Sequence, residues 1–276
     1  MIYGCASWGF RETPLEKQLA ITRELGLDIL ELGIAGHQND FFQLDADDGK
    51  IRQVRRMFAD HGIQLVCAST GNDFTQADKL DCLKSLAQVK KVIDIAAKLE
   101  IKYLRVFAGF NPEKDVVGNR WDTMVECLNE SVVYAARKNI TLGIETHGGV
   151  EAVTGGIRHF YSTSSRPELL LKMLEQLDHR AGIVFDPANL GAVGLKETAI
   201  IELYNQLKNR IAYMHLKDFR RVSDIAIEPC ACGEGQLDWQ RLAREFSAFA
   251  GPGVIEYELT ADIVEGLQRS LKNLRG

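Results

Sequence analysis

Four side chains able to do acid/base or metal chemistry occupy matching places in four successive apolar segments. The run Ile140–Ile144 ends on Glu145, GIVFDPANLG reaches Asp186, IAYMHLKDF carries His215, and VIEYELT carries Glu256. Side chains at i and i+2 of a strand share a face, so His147 accompanies Glu145, Lys217 accompanies His215, and Glu258 accompanies Glu256. Each residue taken alone has an ordinary explanation. Asp186 before Pro187 can be a turn or helix-cap residue, His215 a satisfied core histidine, and Glu256 the partner of Lys217 in a buried ion pair. Buried carboxylates are costly unless paired or bound to a metal. Four of these groups at four consecutive strand ends therefore point to a metal site at one rim. An oxygen-rich set with one imidazole suits Mn²⁺ first, then Mg²⁺ or Co²⁺, with Zn²⁺ still permitted.

The elements that must position these residues alternate along the whole chain. Strand candidates are Ile2–Ser7, Ile29–Gly33, Ile63–Ser69, Tyr103–Phe107, Ile140–Glu145, Gly182–Asp186, Ile211–Leu216 and Val254–Glu258. They are short and rich in Ile, Val and Leu, as strands buried on both faces should be. Amphipathic helices are expected near Pro14–Leu25, Lys50–His61, Lys79–Leu99, Arg120–Lys138, Arg166–Leu177, Glu197–Lys208, Asp238–Phe249 and Asp262–Leu274. Eight βα units without a linker predict an α/β fold, a (β/α)8 TIM barrel with residues 1–276 as one domain. A doubly wound open sheet would normally carry a glycine-rich turn after its first strand, and neither GxGxxG nor GxxxxGK[ST] occurs. In a barrel the active site lies at the C-terminal ends of the strands, where the four residues fall.

Other strand ends contribute further candidates. Trp8 follows the first, Glu31 lies on the second, and Arg105 on the fourth; Glu31 and Arg105 are expected to pair inside the barrel. Trp8 and Phe110 can wall a pocket, with aromatic packing the commoner role, and the glycine-bearing loop Gly148–Gly156 is a candidate lid or an inert turn. Phe41-Phe42 reads as an exposed aromatic pair suited to an interface in a homo-oligomer.

Composition narrows the function classes. Thirty-three Lys and Arg against 38 Asp and Glu give a formal charge of −5, the wrong sign for a nucleic-acid binder. The N-terminus MIYGCASWGF lacks a basic stretch followed by an apolar one, and no apolar run approaches the ~18 residues of a membrane span. A soluble cytoplasmic protein without a membrane partner is expected. The six cysteines include no CxxC and read as reduced thiols. Cys230-Ala-Cys232 lacks the second Cys/His pair that zinc ligation would need.

The segments GIETHGG, FDPANL, HLKD, GEGQLDW and IEYE together resemble the xylose-isomerase-like barrels. That superfamily holds sugar isomerases, ketose epimerases, inosose dehydratases and hydroxypyruvate isomerases, along with endonuclease IV. The resemblance covers nearly the whole chain and is nearest to the epimerase-like members. It implies a divalent metal held by Glu145, Asp186, His215 and Glu256, with Glu145 and Glu256 as the acid/base pair on opposite faces of the substrate. Glu258 is the rival of Glu256; Glu256 is preferred because it directly follows Val254-Ile255. Many members have His three residues after the sixth-strand Asp, where this chain has Asn189. His147, Lys217, Asn189 and Trp8 are the candidates for holding substrate, with orientation of a ligand carboxylate an equal reading for His147 and Lys217.

The implied chemistry is proton abstraction next to a carbonyl. A divalent cation on the carbonyl and neighbouring hydroxyl oxygens stabilises the enediolate that forms. Return of the proton to the opposite face gives a ketose epimer, and return to the neighbouring carbon gives aldose–ketose isomerisation. The substrate expected is a small sugar or keto-sugar. A lyase is the alternative, in which the same base acts and a β-hydroxyl departs, as in keto-sugar or inosose dehydratases. A non-catalytic sugar-binding barrel ranks lower, since binding alone needs no base on each side. An endonuclease ranks lowest, because the chain has six His and an acidic balance.

Overall fold

Apolar segments only a few residues long, each followed by a helix, bury both faces by coming side by side in parallel. The computed structural model describes residues 1–276. Its strands are β1 (Ile2–Cys5), β2 (Ile29–Leu30), β3 (Leu32–Gly33), β4 (Cys67–Ser69), β5 (Tyr103–Val106), β6 (Thr141–Glu145), β7 (Gly149–Val153), β8 (Gly156–Phe160), β9 (Gly182–Phe185), β10 (Ile211–Leu216), β11 (Asp218–Arg221), β12 (Ile227–Cys230) and β13 (Pro252–Ile255). Nine of them form one parallel sheet in the order β2-β1-β13-β10-β9-β6-β5-β4-β3. β2 and β3 are halves of one segment separated by Glu31, so the two ends of that order meet and the sheet forms a nearly closed barrel.

Register brings the chemistry to one level. His215 stands opposite Val254, Glu145 opposite Val184, and Ser69 opposite Arg105. A separate apolar cluster of Ala6, Ile29, Cys67, Val184, Ala212, Tyr213 and Val254 is made largely of residues on the inward face of the strands. Two residues beyond Ile29, Val184, Tyr213 and Val254, the same face presents Glu31, Asp186, His215 and Glu256. A dry plug thus lies beneath a polar layer, in the layered manner of (β/α)8 interiors.

The helices α1 (Leu15–Glu24), α2 (Asp48–His61), α3 (Lys79–Lys98), α4 (Asn119–Ala136), α5 (Pro167–Gln176), α6 (Pro187–Ala192), α7 (Glu197–Leu207), α8 (Trp239–Glu245) and α9 (Ile263–Arg275) cover the outside. A cluster of 66 buried apolar residues joins them to the sheet. Local signals start and stop them. Asp47 caps α2 by accepting from Lys50 N at 2.8 Å, and Gly62 ends it at φ 65°. No helix is long and apolar enough to cross a membrane.

Several expectations change. Of the segment Ile63–Ser69, only Cys67–Ser69 is strand, and the last barrel strand stops at Ile255, leaving Glu256 and Glu258 on the rim beyond it. Phe41-Phe42 is not an exposed pair: Phe42 is fully buried, and Lys50 Nζ lies 4.6 Å from the centre of the half-buried Phe41 ring. All six cysteines are free and buried. Gly148–Gly156 is not an open loop but the start of a hairpin. β7 and β8 pair in antiparallel fashion and join β12 and β11 in a second, four-stranded sheet. Ion pairs across its strands, Arg158–Glu151 at 2.6 Å and Arg220–Glu228 at 2.5 Å, replace the apolar run that would have marked them as strands.

Asp218 explains the GEGQLDW loop. Its carboxylate accepts from the backbone N–H groups of Phe219, Gly233, Gly235 and Gln236 at 2.9–3.2 Å. A Cβ on Gly235 would lie 2.3 Å from Asp218 Oδ1 and 2.5 Å from Phe219 O. Gly235→Ala is expected to destabilise by about 2–3 kcal/mol through overpacking and loss of charge-assisted hydrogen bonds. A fall in the urea midpoint at constant slope would register it; an unmoved midpoint would show that the loop yields freely.

Candidate active site

The four strand-end residues converge. One ligand-capable atom from each of Glu145, Asp186, His215 and Glu256 lies within 4.8 Å of the others, and all four residues are buried. Glu145 closes β6, His215 lies on β10, and Asp186 and Glu256 directly follow β9 and β13. Asp186 also fulfils the ordinary reading of its sequence context, since its side chain caps α6 by accepting from Asn189 N at 2.9 Å.

His215 is the hub. Its Nε2 lies 2.8 Å from Glu31 Oε2, while Nδ1 faces Glu145 Oε1 and Glu256 Oε2, each at 3.4 Å. Glu31 is a pure acceptor, so it places the ring proton on Nε2 and turns the Nδ1 lone pair toward the two glutamates. Nδ1 is buried and has no hydrogen-bond partner in the protein. An orphaned imidazole nitrogen facing carboxylate oxygens is the donor set a divalent cation requires, and these residues fit one.

Glu31 and Arg105 do not pair as expected. Glu31 accepts from Tyr213 Oη at 2.8 Å and from Ser7 Oγ at 3.2 Å, in addition to His215. Arg105 Nε lies 3.2 Å from Glu145 Oε2, and its Nη1 donates to Thr70 O at 2.8 Å. Glu31 thus orients the imidazole from behind. Glu31→Gln is expected to weaken divalent-metal affinity by about 10–100-fold, the usual effect of losing such a support. Calorimetric titration reads this, and an unchanged affinity would deny Glu31 the role.

Lys217 separates the two rival glutamates. Its Nζ lies 2.6 Å from Glu256 Oε2, 3.0 Å from Glu258 Oε1 and 3.1 Å from Asp186 Oδ2. Glu256 belongs to the group of four, whereas Glu258 pairs outside it with the ammonium. Asn189 is fully buried and donates through Nδ2 to Glu145 Oε1 at 3.1 Å and Asp186 Oδ2 at 2.9 Å. It braces two carboxylates and is not among the residues lining the cavity.

These contacts set the charge states. Burial raises the Glu145 carboxyl, but His215 and Arg105 outweigh it and hold the group at about 2. For Glu256, Lys217 and His215 overcome the same burial penalty and hold the acid well below the usual range. Asp186 goes the other way. Burial, which Lys217 only partly offsets, together with Glu145 and Glu256 lifts it to about 7.

A cavity of about 600 Å³ opens above this polar floor. Glu145, Glu256, Lys217, His147 and Trp8 all line it. His147 Nδ1 is 2.5 Å from Gly148 O, a carbonyl that can only accept, so the free Nε2 is the basic nitrogen. Burial pushes the His147 ring down to about 4, against Glu145, and keeps it neutral. Trp8 is 39% exposed at the mouth, edge-on to His37 at 5.6 Å. His159, on β8, also lines the cavity and is not among the sequence candidates, because the expected loop Gly148–Gly156 stops short of it. Its place two residues after Ile157, on the same face of the strand, is the signal that reveals it.

Fold and site together define a (β/α)8 barrel with a metal-competent Glu/Asp/His/Glu group at the C-terminal mouth. Residues 19–275 match the xylose isomerase-like TIM barrel family, and the chain belongs to it. No curated protein matches it in sequence. Among solved structures it is similar to the probable 3-DHS dehydratase AsbF, involved in petrobactin synthesis, from Bacillus anthracis. That match has a TM-score of 0.79 at 16% identity, covering 100% of this chain and 99% of that one. It is also similar to 3-keto-D-glucoside 4-epimerase, YcjR, from E. coli, with a TM-score of 0.74 at 18% identity over 100% and 99% of the two chains. D-psicose 3-epimerase from Clostridium cellulolyticum H10 matches with a TM-score of 0.71 at 13% identity over 100% and 98%.

Proposed function

We propose that this protein is a divalent-metal-dependent isomerase or epimerase that moves a proton next to the carbonyl of a keto-sugar. The observation that carries the reading is the pair Glu145 and Glu256, each 3.4 Å from the unpartnered His215 Nδ1 and each held ionised by its own cation. Glu145, Asp186, His215 and Glu256 would hold the metal, with Mn²⁺ the leading candidate. When bound, the cation stabilises negative charge developing on substrate oxygen. One glutamate takes the proton from the carbon beside the carbonyl, and the other returns one to the opposite face or to the neighbouring carbon. Positioned acid/base groups of this kind supply about 10²–10⁴-fold. Lys217 and the neutral Nε2 of His147 orient substrate hydroxyls. The solved relatives named as epimerases of keto-sugars support this class.

A lyase is the second reading. His147 is a third acid/base group on the cavity wall. Its neutral Nε2 can take the proton from the carbon beside the carbonyl and pass it to the β-hydroxyl, which leaves as water. The probable dehydratase among the solved relatives has a similar fold. The test is incubation of Mn²⁺-loaded protein in D₂O with a panel of ketoses and keto-sugars. A single deuterium beside the carbonyl, with water retained, is the expected result. Loss of water would identify the lyase, and no exchange with any member of the panel would sink both readings.

A further inference from the structure

The cavity has two unlike halves. The floor carries the ionisable groups, whereas the upper walls are apolar, with Trp8, Phe110, Val150, Ile157, Pro229 and Leu259 among the lining. Val150, Ile157 and Pro229 come from the second sheet, β7, β8 and β12. A hexose has about twelve heavy atoms. Even at water's roughly 30 Å³ per heavy atom it would fill about 360 Å³ of the cavity, leaving on the order of 200 Å³ beside the apolar walls.

Arg11 and His37 stand against Trp8 on one side of that upper half, and on the side of the second sheet the polar side chain is His159. His159 is 9% exposed, and neither of its ring nitrogens has a hydrogen-bond partner in the protein. Its ring centre lies 5.0 Å from that of Phe219 and 6.2 Å from that of His147. Buried polar groups in native proteins are nearly always satisfied, so a histidine with both nitrogens bare at a cavity wall awaits a partner from the ligand. Burial, then the nearby His147 and Lys217, push the ring down to about 3, so it stays neutral and offers one donor and one acceptor. An apolar wall that carries an unpartnered two-way hydrogen-bonding group is how pockets recognise a flat ring carrying an oxygen substituent.

We infer that the substrate is a keto-sugar bearing an aromatic aglycone, with the sugar ring on the polar floor and the aglycone between the apolar walls, hydrogen-bonded to His159. The inference rests on the keto-sugar reading above for the floor of the site, and adds the aglycone half independently. It predicts that the hairpin sheet serves as the specificity wall.

Calorimetry of Mn²⁺-loaded protein with two unreactive probes, phenyl β-D-glucoside and methyl β-D-glucoside, tests it. The phenyl compound is expected to bind at least ~10-fold tighter. Ile157→Ser should shrink that ratio severalfold, and His159→Phe should remove the extra affinity of 4-hydroxyphenyl β-D-glucoside over the phenyl compound while leaving the phenyl-to-methyl ratio in place. Equal affinity of the phenyl and methyl compounds for the wild type would overturn the inference, whatever the variants do. Deuterium exchange on free ketoses with equal glucoside affinities would overturn it while leaving the proposed function standing. An aryl preference without exchange on any keto-sugar would uphold the aglycone half and sink the proposed reaction.

Discussion

Glu256→Gln is expected to abolish proton transfer and to weaken divalent-metal binding by more than about 100-fold. The amide keeps the shape of the side chain but loses the charge, and it meets His215 Nδ1, at 3.4 Å, without the negative oxygen a cation needs. Loss of a supporting carboxylate behind a ligand already costs about 10–100-fold, so loss of a ligand costs more. Loss of the acid/base group adds about 10²–10⁴-fold in turnover, so kcat/KM should fall by about 10⁴ or more. His215→Ala separates the two effects, since it removes a ligand but leaves both glutamates. Metal affinity should also rise with pH through neutrality, because protons on Asp186, lifted to about 7, and on His215 compete with the cation. Titration of metal-stripped protein with Mn²⁺ at three pH values checks all of this. A Glu256→Gln variant that binds Mn²⁺ like the wild type would remove Glu256 from the ligand set.

Glu145, Asp186, His215 and Glu256 were legible in the sequence for one physical reason. Each ends or interrupts a run of buried apolar residues, where an unpaired charge would be too costly to keep. Their inward direction followed from the two-residue period of a strand. The choice between Glu256 and Glu258 was harder, because both share that face. Geometry separates them: β13 stops at Ile255, Glu256 reaches His215, and Glu258 reaches only as far as Lys217. Glu31 was misread as a partner for Arg105 because its flanking residues are all apolar. Nothing local shows that β2 and β3 break there and aim the side chain at His215. The second sheet was invisible because Glu151, Arg158, Arg220 and Glu228 are solvent-facing ion pairs on short strands, with no apolar run to announce them. Missing that sheet also hid His159 and the apolar upper half of the cavity. Sequence period therefore revealed the floor of the site, where burial forces a pattern, and left out the wall, where side chains alternate between solvent and ligand.

Lys217→Met should lower the melting temperature of metal-free protein by roughly 10 °C, with saturating Mn²⁺ restoring most of the loss. Four buried carboxylates, Glu31, Glu145, Asp186 and Glu256, and the half-buried Glu258 crowd the barrel mouth. Only Arg105 and Lys217 are permanent cations among them, and the protonated His215 adds a third positive charge, so the formal charge of the five acids and their cations is 3 − 5 = −2. Methionine occupies similar volume but takes away the ammonium that touches three of the five acids. Removing one partner of a buried ion pair costs about 3–5 kcal/mol, and each kcal/mol shifts a chain of this size by about 2–4 °C. A divalent cation held by Glu145, Asp186, His215 and Glu256 brings positive charge back to two of the same acids and stabilises the native state by mass action. The variant should therefore gain more from Mn²⁺ than the wild type does, and its metal affinity should not fall. Thermal scans of both proteins, stripped and loaded, measure the difference. A stripped variant that melts with the wild type, and shows only a raised KM, would make Lys217 a substrate contact and nothing more. A variant that melts low but is not rescued by Mn²⁺ would place the missing charge somewhere a metal cannot supply it.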